Sequence, residues 1–184
     1  MLLGEAACHG HTDTVRALLA QKADLHACDW DGFPDGALRW AARCRHTDTV
    51  RVLLSYKANV HACDCYDRPD EALRWAALYG NTDMTRMLLA HKADVHACGT
   101  DGRKDFALRV AARNGHTDTV RVLLAHKADM HVGSWEGLAD GPLRCAACYD
   151  HSDTVCVLLQ AGADVRACPA SFVEKHLNLS LIHI

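Results

Sequence analysis

A nine-residue segment recurs along this chain at a constant step of 35 residues. HTDTVRVLL occupies residues 46–54 and, letter for letter, residues 116–124. Its variants HTDTVRALL, NTDMTRMLL and HSDTVCVLL begin at residues 11, 81 and 151. A fixed period of this size indicates stacked copies of one supersecondary unit, each burying its apolar surface against the next. The sequence therefore predicts a solenoid.

Each unit is predicted to be a pair of antiparallel helices. In ALRWAARC, Leu38, Ala41 and Ala42 have the i, i+3, i+4 spacing of one helix face, and small alanines allow a neighbouring helix to approach closely. In DTVRVLLSY, Val50 and Leu53 belong to a second apolar stripe. Between the stripes there is room only for a tight turn. After them come Asp, Gly and Pro, which are typical of turns and hairpins.

This pattern resembles the ankyrin repeat. The resemblance lies in a first helix that opens on Ala-Leu and closes on Ala-Ala, then Gly-His, then VxxLL, then Ala-Asp-Val or Ala-Asp-Leu. It covers residues 1–168 and, in style, is similar to the divergent ankyrin arrays of giant DNA viruses and microbial eukaryotes. It implies an all-α solenoid of stacked helix-turn-helix repeats with hairpin or loop tips.

The 35-residue phase also predicts where the units begin and end. Four full repeats follow a partial N-terminal repeat, which starts inside its own first helix, and the expected boundaries are 1–28, 29–63, 64–98, 99–133 and 134–168. Residues 169–178 leave the phase and are expected to form a capping helix or a linker, with Ser171 and Glu174 as a capping box.

The final residues 179–184 read LSLIHI. This is the translation of CTG TCT CTT ATA CAC ATC, which matches the transposase mosaic-end adapter of sequencing libraries. We interpret the segment as translated adapter and leave it out of the fold prediction. The gene is then expected to continue past Asn178.

Four lysines stand where the ankyrin family has glycine after the second helix: Lys22, Lys57, Lys92 and Lys127. A left-handed backbone there costs a residue other than glycine about 1–2 kcal/mol. If the resemblance places the helix ends correctly, all four lysines have positive φ. After the first helix, Arg45 and Asp150 likewise stand where other units have glycine.

Charge and hydropathy exclude several classes of protein. A formal net charge of −3 and a pI near 6.5 give no basic footprint for nucleic acid. The chain contains no apolar run of roughly 18 residues that could span a membrane, and its start lacks the features of a secretory signal. We therefore expect a monomer in the cytoplasm, or the host cytoplasm if the source is viral, with no nucleic-acid or membrane partner.

The ten cysteines are expected to be free thiols. Cys28, Cys63 and Cys98 share one phase of the repeat, and Cys168 returns to it. Stacked helices lie about 8–10 Å apart, whereas a disulfide needs Cα atoms about 4.4–6.8 Å apart. Equivalent cysteines of neighbouring repeats should therefore stay free, which suits a reducing compartment.

A His-x-Cys pattern repeats at three successive units, as His26/Cys28, His61/Cys63 and His96/Cys98. Zinc requires four ligands at about 2.0–2.3 Å. We call each His-x-Cys pair a rung. No rung supplies four ligands, and neighbouring rungs are too far apart to share one ion. The first interpretation is that the histidines support the loop, and we expect no metal and no cofactor. The alternative is a metal- or redox-responsive module built from these rungs.

Nothing in the sequence indicates an active site. It has no glycine-rich phosphate loop, no paired-carboxylate motif and no nucleophile elbow. A cysteine–histidine nucleophile needs one oriented constellation, whereas these residues recur every 35 positions. The sequence predicts a protein that is not an enzyme.

Two ladders of charge share the period: Arg39, Arg74, Arg109 and Arg144, and Asp48, Asp83, Asp118 and Asp153. We expect these side chains to be solvated or paired with each other. The alternative is that the arginines form a stripe that binds anions or nucleic acid.

The variable positions carry the functional prediction. The hairpin tips and the ends of the first helices differ between units, while the apolar stripes stay constant. In ankyrins these variable elements line the concave groove, and Tyr, Trp and Arg are typical of binding hot spots. The resemblance therefore implies partner-binding residues Trp30, Phe33, Arg43, Tyr66, Arg68, Tyr79, Arg103, Arg113, Trp135 and Tyr149. Trp40 and Trp75 are assigned instead to the packing between helices.

The sequence thus predicts a non-enzymatic scaffold that binds a partner protein through its hairpin tips and concave face. The alternatives are the metal- or redox-responsive module and the recognition arm of a larger effector, such as a ubiquitin-ligase adaptor.

Overall fold

The computed structural model describes residues 2–29, 32–63, 68–99, 102–132 and 141–169. These ranges contain α-helices and one 3₁₀ helix, Val165–Ala167, and no β-strand. In chain order the α-helices are α1 Leu2–Cys8, α2 Thr12–Ala20, α3 Gly36–Arg43, α4 Thr47–Ser55, α5 Glu71–Leu78, α6 Thr82–Ala90, α7 Phe106–Arg113, α8 Thr117–Ala125, α9 Gly141–Cys148 and α10 Ser152–Gln160.

The helices form two layers. The first helices α1, α3, α5, α7 and α9 pack against one another in chain order, and the second helices α2, α4, α6, α8 and α10 do the same. The apolar stripes meet between the layers, with Leu38, Ala41, Val50 and Leu53 no more than 1% exposed. The predicted all-α helix-turn-helix stack is confirmed. The boundaries of the individual repeats stay a prediction, and residues 170–184, with the expected capping box and adapter, lie outside the described residues.

The second helices end at left-handed lysines, as predicted. Lys22, Lys57, Lys92 and Lys127 have φ of 59°, 67°, 73° and 67°. At the end of α4, Lys57 N donates to Leu54 O at 2.9 Å and Ala58 N donates to Leu53 O at 3.0 Å. This pair of bonds is a Schellman cap, which satisfies carbonyls that the helix leaves open.

Glycines after three of the first helices make room for a histidine of the next helix pair. A Cβ atom at Gly80 would lie only 2.4 Å from Nδ1 of His116. Because a carbonyl can only accept, Nε2 of His116 donates to Leu78 O, at 3.0 Å. The same arrangement joins two other pairs, Gly10 with His46 and Gly115 with His151.

Where this glycine is missing inside the array, the histidine is missing too. Arg45 has φ 67°, and the residue that follows 36 positions later is Asn81. The Asn81 side chain accepts from Met84 N and donates to Thr47 Oγ1 at 2.7 Å. It therefore caps its own helix and leaves the space beside residue 45 open to a side chain.

Candidate protein-interaction face

The ends of the first helices bring an arginine between two tryptophans. The Arg43 guanidinium lies over the Trp40 ring, with Cζ 4.8 Å from the ring centroid, and over the Trp75 ring at 5.2 Å. Trp40 lies one turn earlier on α3, and Trp75 comes from α5 of the next helix pair. Arg43 is exposed while both tryptophans are half-buried. The packing fixes the rings, and the rings position the charge.

Rings and guanidinium groups continue along the same helix ends. Trp75 stacks on Tyr79, with centroids 5.6 Å apart and planes at 16°, and Arg45 lies over Tyr79 at 5.5 Å. Arg113 lies over Tyr149 at 5.2 Å. We call this surface the arginine–aromatic face and define it by Trp40, Arg43, Arg45, Trp75, Tyr79, Arg113 and Tyr149.

The face contains four of the ten residues predicted to bind a partner: Arg43, Tyr79, Arg113 and Tyr149. Tyr79 and Tyr149 are among the exposed large hydrophobic side chains, at 36% and 53%. Sequence reasoning missed Arg45 and assigned the two tryptophans to packing alone. Trp75 does pack against the core, but it also stacks within the face.

The predicted tip residues are placed differently. Phe33, Arg68 and Arg103 are half-buried, and the Phe33 ring lies 5.5 Å from the guanidinium of Arg39. Backbone bonds from Asp29 N to Phe33 O and from Gly99 N to Arg103 O close two of the tips as turns. The other three tip residues, Trp30, Tyr66 and Trp135, lie outside the described residues.

Three of the four arginines of the ladder are buried and not solvated, and the fourth, Arg144, is half-buried. Arg39, Arg74 and Arg109 are 7%, 7% and 3% exposed. The expected pairing with the aspartate ladder is wrong for Arg39, which lies between Asp29, at 3.2 Å, and Glu71 of the next unit. The two carboxylates also accept from the indole nitrogens of the tryptophans, Asp29 from Trp40 and Glu71 from Trp75. This buried cluster therefore holds the rings of the face in place.

The histidines of the His-x-Cys rungs bind aspartates. Nδ1 of His26, His61 and His96 lies 2.5, 3.1 and 2.8 Å from carboxylate oxygens of Asp35, Asp70 and Asp105 respectively. These aspartates are buried and left-handed, with φ of 60°, 58° and 54°. Within the described residues, no three His, Cys, Asp or Glu side chains form a group that could hold a metal ion.

Each of these aspartates also holds the following unit. Asp70 accepts from Asp94 N at 3.0 Å, Asp105 accepts from Asp129 N at 2.9 Å, and Asp35 accepts from Asn59 Nδ2. Burial raises the pKa of Asp70 above its ordinary value, against the opposing effect of hydrogen bonds from Asp94 N and His61. The rung histidines thus belong to the junction between helix pairs.

Comparison with protein families agrees with this architecture. A family model described as ankyrin repeats (3 copies) matches residues 3–97 and again residues 73–167. The chain belongs to the ankyrin repeat family. Ankyrin repeats are generally protein–protein interaction modules, and the family is typically non-enzymatic. No curated protein matches this ankyrin repeat chain. In the described part of the chain, no helix is long and apolar enough to cross a bilayer.

Proposed function

We propose that the chain is a non-enzymatic scaffold that binds a partner protein through the arginine–aromatic face and the adjoining hairpin tips. The observation that carries this proposal is the set of exposed guanidinium groups of Arg43, Arg45 and Arg113, each lying over an aromatic ring. Within the described residues none of the three has an ion-pair partner. Tyr, Trp and Arg side chains clustered on one surface are typical of the centre of a protein interface.

The packing of the face favours binding because it is preorganised. Ordering a free arginine side chain at an interface costs about 0.5–1.5 kcal/mol. Here the rings of Trp40 and Trp75 already restrict Arg43, and their indole N–H groups are held by Asp29 and Glu71. A partner would therefore meet side chains that are already in position.

The hairpin tips stay part of the proposal. In the sequence, Trp30, Tyr66 and Trp135 belong to the segments that precede the first helices. In the ankyrin family these tips and the concave helix ends act as one surface. Replacing the three aromatic tip residues together should abolish capture of the partner and leave the helices folded.

We further propose that the protein acts as a monomer in the cytoplasm. Cys28, Cys98, Cys148 and Cys156 are free thiols, which suits a reducing compartment. The hydrogen bonds from the rung histidines to buried aspartates give these histidines a structural role. We therefore prefer the scaffold to a metal-responsive module.

A display selection with matched variants tests the proposal. Protein segments displayed on phage would be selected on the wild-type chain and then on the face variant Arg43→Ala, Arg113→Ala, Tyr149→Ala. The control variant Arg51→Ala, Arg121→Ala, Tyr56→Ala removes the same residue types from exposed positions at the second helices.

The selection has two informative outcomes. Segments that bind the wild type and the control variant but do not bind the face variant support the proposal. Segments that bind all three proteins equally well, or no enrichment at all, contradict it. Circular dichroism and the urea midpoint of each variant show whether the fold is intact.

A further inference from the structure

We infer that the arginine–aromatic face binds an acidic segment of the partner protein, an extended stretch whose Asp or Glu carboxylates reach Arg43, Arg45 and Arg113. This inference rests on the proposed function and names the chemistry of the partner. It follows from the geometry of the guanidinium groups, from the charges around them and from the spacing of the helices.

The stacking leaves the hydrogen-bonding groups of each arginine available. Cζ of Arg43 lies over the rings of Trp40 and Trp75, at 4.8 Å and 5.2 Å from their centroids. A guanidinium carries five N–H donors, and those of Arg43 make no hydrogen bond or ion pair to another described residue. Their fork geometry matches a carboxylate, which can accept two parallel hydrogen bonds. The face therefore presents preorganised carboxylate receptors.

Some arginines elsewhere in the chain lie beside carboxylates of the same chain. Arg39 lies between two carboxylates, Arg51 lies 3.9 Å from Asp48, and Arg166 lies 2.7 Å from Asp164. The chain as a whole has 23 acidic and 20 basic side chains. In an acidic protein, a surface of unpaired arginines is complementary to an acidic partner and repels a basic one.

The helix spacing sets the length of the segment. Arg43 ends α3 and Arg113 ends α7, with α5 between them. Two steps of about 8–10 Å separate such helices, and an extended chain rises about 3.3 Å per residue. Carboxylates that contact both arginines are therefore about five or six residues apart, and the residues between them would pass over Tyr79.

Two labelled synthetic peptides test the inference directly. One carries two Glu-Glu pairs separated by five residues that include a leucine, and the other carries Gln at the four Glu positions. Binding to the wild-type chain would be followed by fluorescence anisotropy. Because charge-assisted hydrogen bonds contribute about 1.5–3 kcal/mol, we expect the Gln peptide to bind at least about tenfold more weakly.

Substitutions in the protein show which arginine contributes to binding of the peptide. Arg43→Ala should weaken binding of the Glu peptide about tenfold, whereas Arg51→Ala should leave its binding unchanged. Added salt should weaken binding of the Glu peptide and not binding of the Gln peptide. Equal binding of both peptides, no binding of either, or an equal effect of both variants overturns the inference.

The display selection separates this inference from the proposed function. Selected segments that need the face but show no enrichment in Asp and Glu overturn the acidic partner and leave the scaffold in place. Segments that ignore the face overturn both. Acidic segments that need the face support both.

A second, independent observation concerns two thiols between the first two helix pairs. Sγ of Cys8 and Sγ of Cys44 lie 3.5 Å apart, and both side chains are half-buried. Equivalent cysteines are 35 residues apart, but these two are offset by one position, at a separation of 36. For this pair, the two sulfur atoms are already in contact. We propose that Cys8 and Cys44 form a disulfide by exchange with a small disulfide such as oxidised glutathione.

The exchange is balanced in two steps. One protein thiolate attacks the glutathione disulfide, forming a mixed disulfide and releasing reduced glutathione. The second protein thiolate then attacks the protein sulfur of the mixed disulfide, which releases the second glutathione. The two thiol protons end on the two glutathione molecules, the two cysteines are oxidised, and glutathione disulfide is reduced.

Burial, reinforced by the neighbouring Cys44 thiol, raises the pKa of Cys8. Because the thiolate is the nucleophile, the exchange should speed up as the pH rises above neutral.

Peptide mapping after incubation of the folded chain with oxidised glutathione tests the site. We expect a Cys8–Cys44 cross-linked peptide, with no retained glutathione at either residue. The Cys44→Ser variant should instead keep a mixed disulfide at Cys8. Cys28 and Cys63, which share one phase, should give no cross-link to each other. Stable glutathione adducts on both Cys8 and Cys44, or no reaction at either, contradict the proposal.

Discussion

The substitution Gly80→Ala tests how the helix pairs are joined. Gly80 has φ +66°, which costs an alanine about 1–2 kcal/mol. The added Cβ would lie 2.4 Å from Nδ1 of His116, so the ring has to move. Moving it breaks the 3.0 Å bond to Leu78 O, which contributes about 0.5–1.5 kcal/mol. We expect the free energy of unfolding to fall by about 1.5–3.5 kcal/mol, the sum of the two effects.

The same substitution in a His116→Asn background separates the two contributions. The shorter side chain leaves the space open, as Asn81 does beside Arg45. Only the cost of the left-handed backbone then remains, about 1–2 kcal/mol. The coupling between the two sites should be about 1 kcal/mol, within the range seen for residues in contact. Gly102→Ala is the matched control, because Gly102 has φ +69° and nothing lies within 4 Å of its added Cβ.

Urea unfolding followed by circular dichroism measures all four proteins of the cycle and the control. A constant slope of free energy against urea shows that the unfolded state and the cooperativity are unchanged. Equal costs of Gly80→Ala in both backgrounds would refute the steric argument. So would a Gly102→Ala variant that is destabilised as much as Gly80→Ala.

Three further changes test other parts of the fold. Lys57→Gly should raise the free energy of unfolding by roughly 0.5–1 kcal/mol in urea titration, because the lysine has φ 67°. Arg39→Met should lower it by about 3–5 kcal/mol, since Asp29 and Glu71 would stay buried without their guanidinium. Burial raises the pKa of Asp70, so this carboxyl stabilises the fold fully only below its unfolded pKa and less as the pH rises through the folded pKa. The stability of Asp70→Asn relative to wild type, measured by urea titration at several pH values, should therefore increase from acidic to near-neutral pH.

The fold could be predicted because the period and the apolar stripes act together. Leu38 and Val50 are buried where the helical spacing places them, and the alignment to the family predicts the left-handed lysines. The left-handed Asp70 could not be predicted in this way. An aspartate before a helix usually indicates an extended N-cap residue, whereas its conformation here depends on His61 and on Asp94 of the next unit. Both contacts are made only after the units stack.

The candidate face could be predicted in part. The variable helix ends identify Arg43 and Tyr79, but their partners are contacts between units. Arg43 and Trp75 are 32 residues apart, which is one period of 35 less the three residues that separate Trp40 from Arg43. This offset is visible in the sequence once the period is known. Burial of Arg39 could not be predicted from the period, because its partners Asp29 and Glu71 do not recur in every unit.

The matched pairs of residues also constrain how such an array can evolve. A unit that carries His116 fits only behind a unit that carries glycine at the equivalent of Gly80, while Asn81 accepts Arg45 in front of it. The two residues of each matched pair lie in two neighbouring units. Duplication or exchange of one unit alone can therefore place an arginine against a histidine. Recombination that keeps neighbouring units together would therefore be favoured, and the order of the units would be inherited along with their sequences.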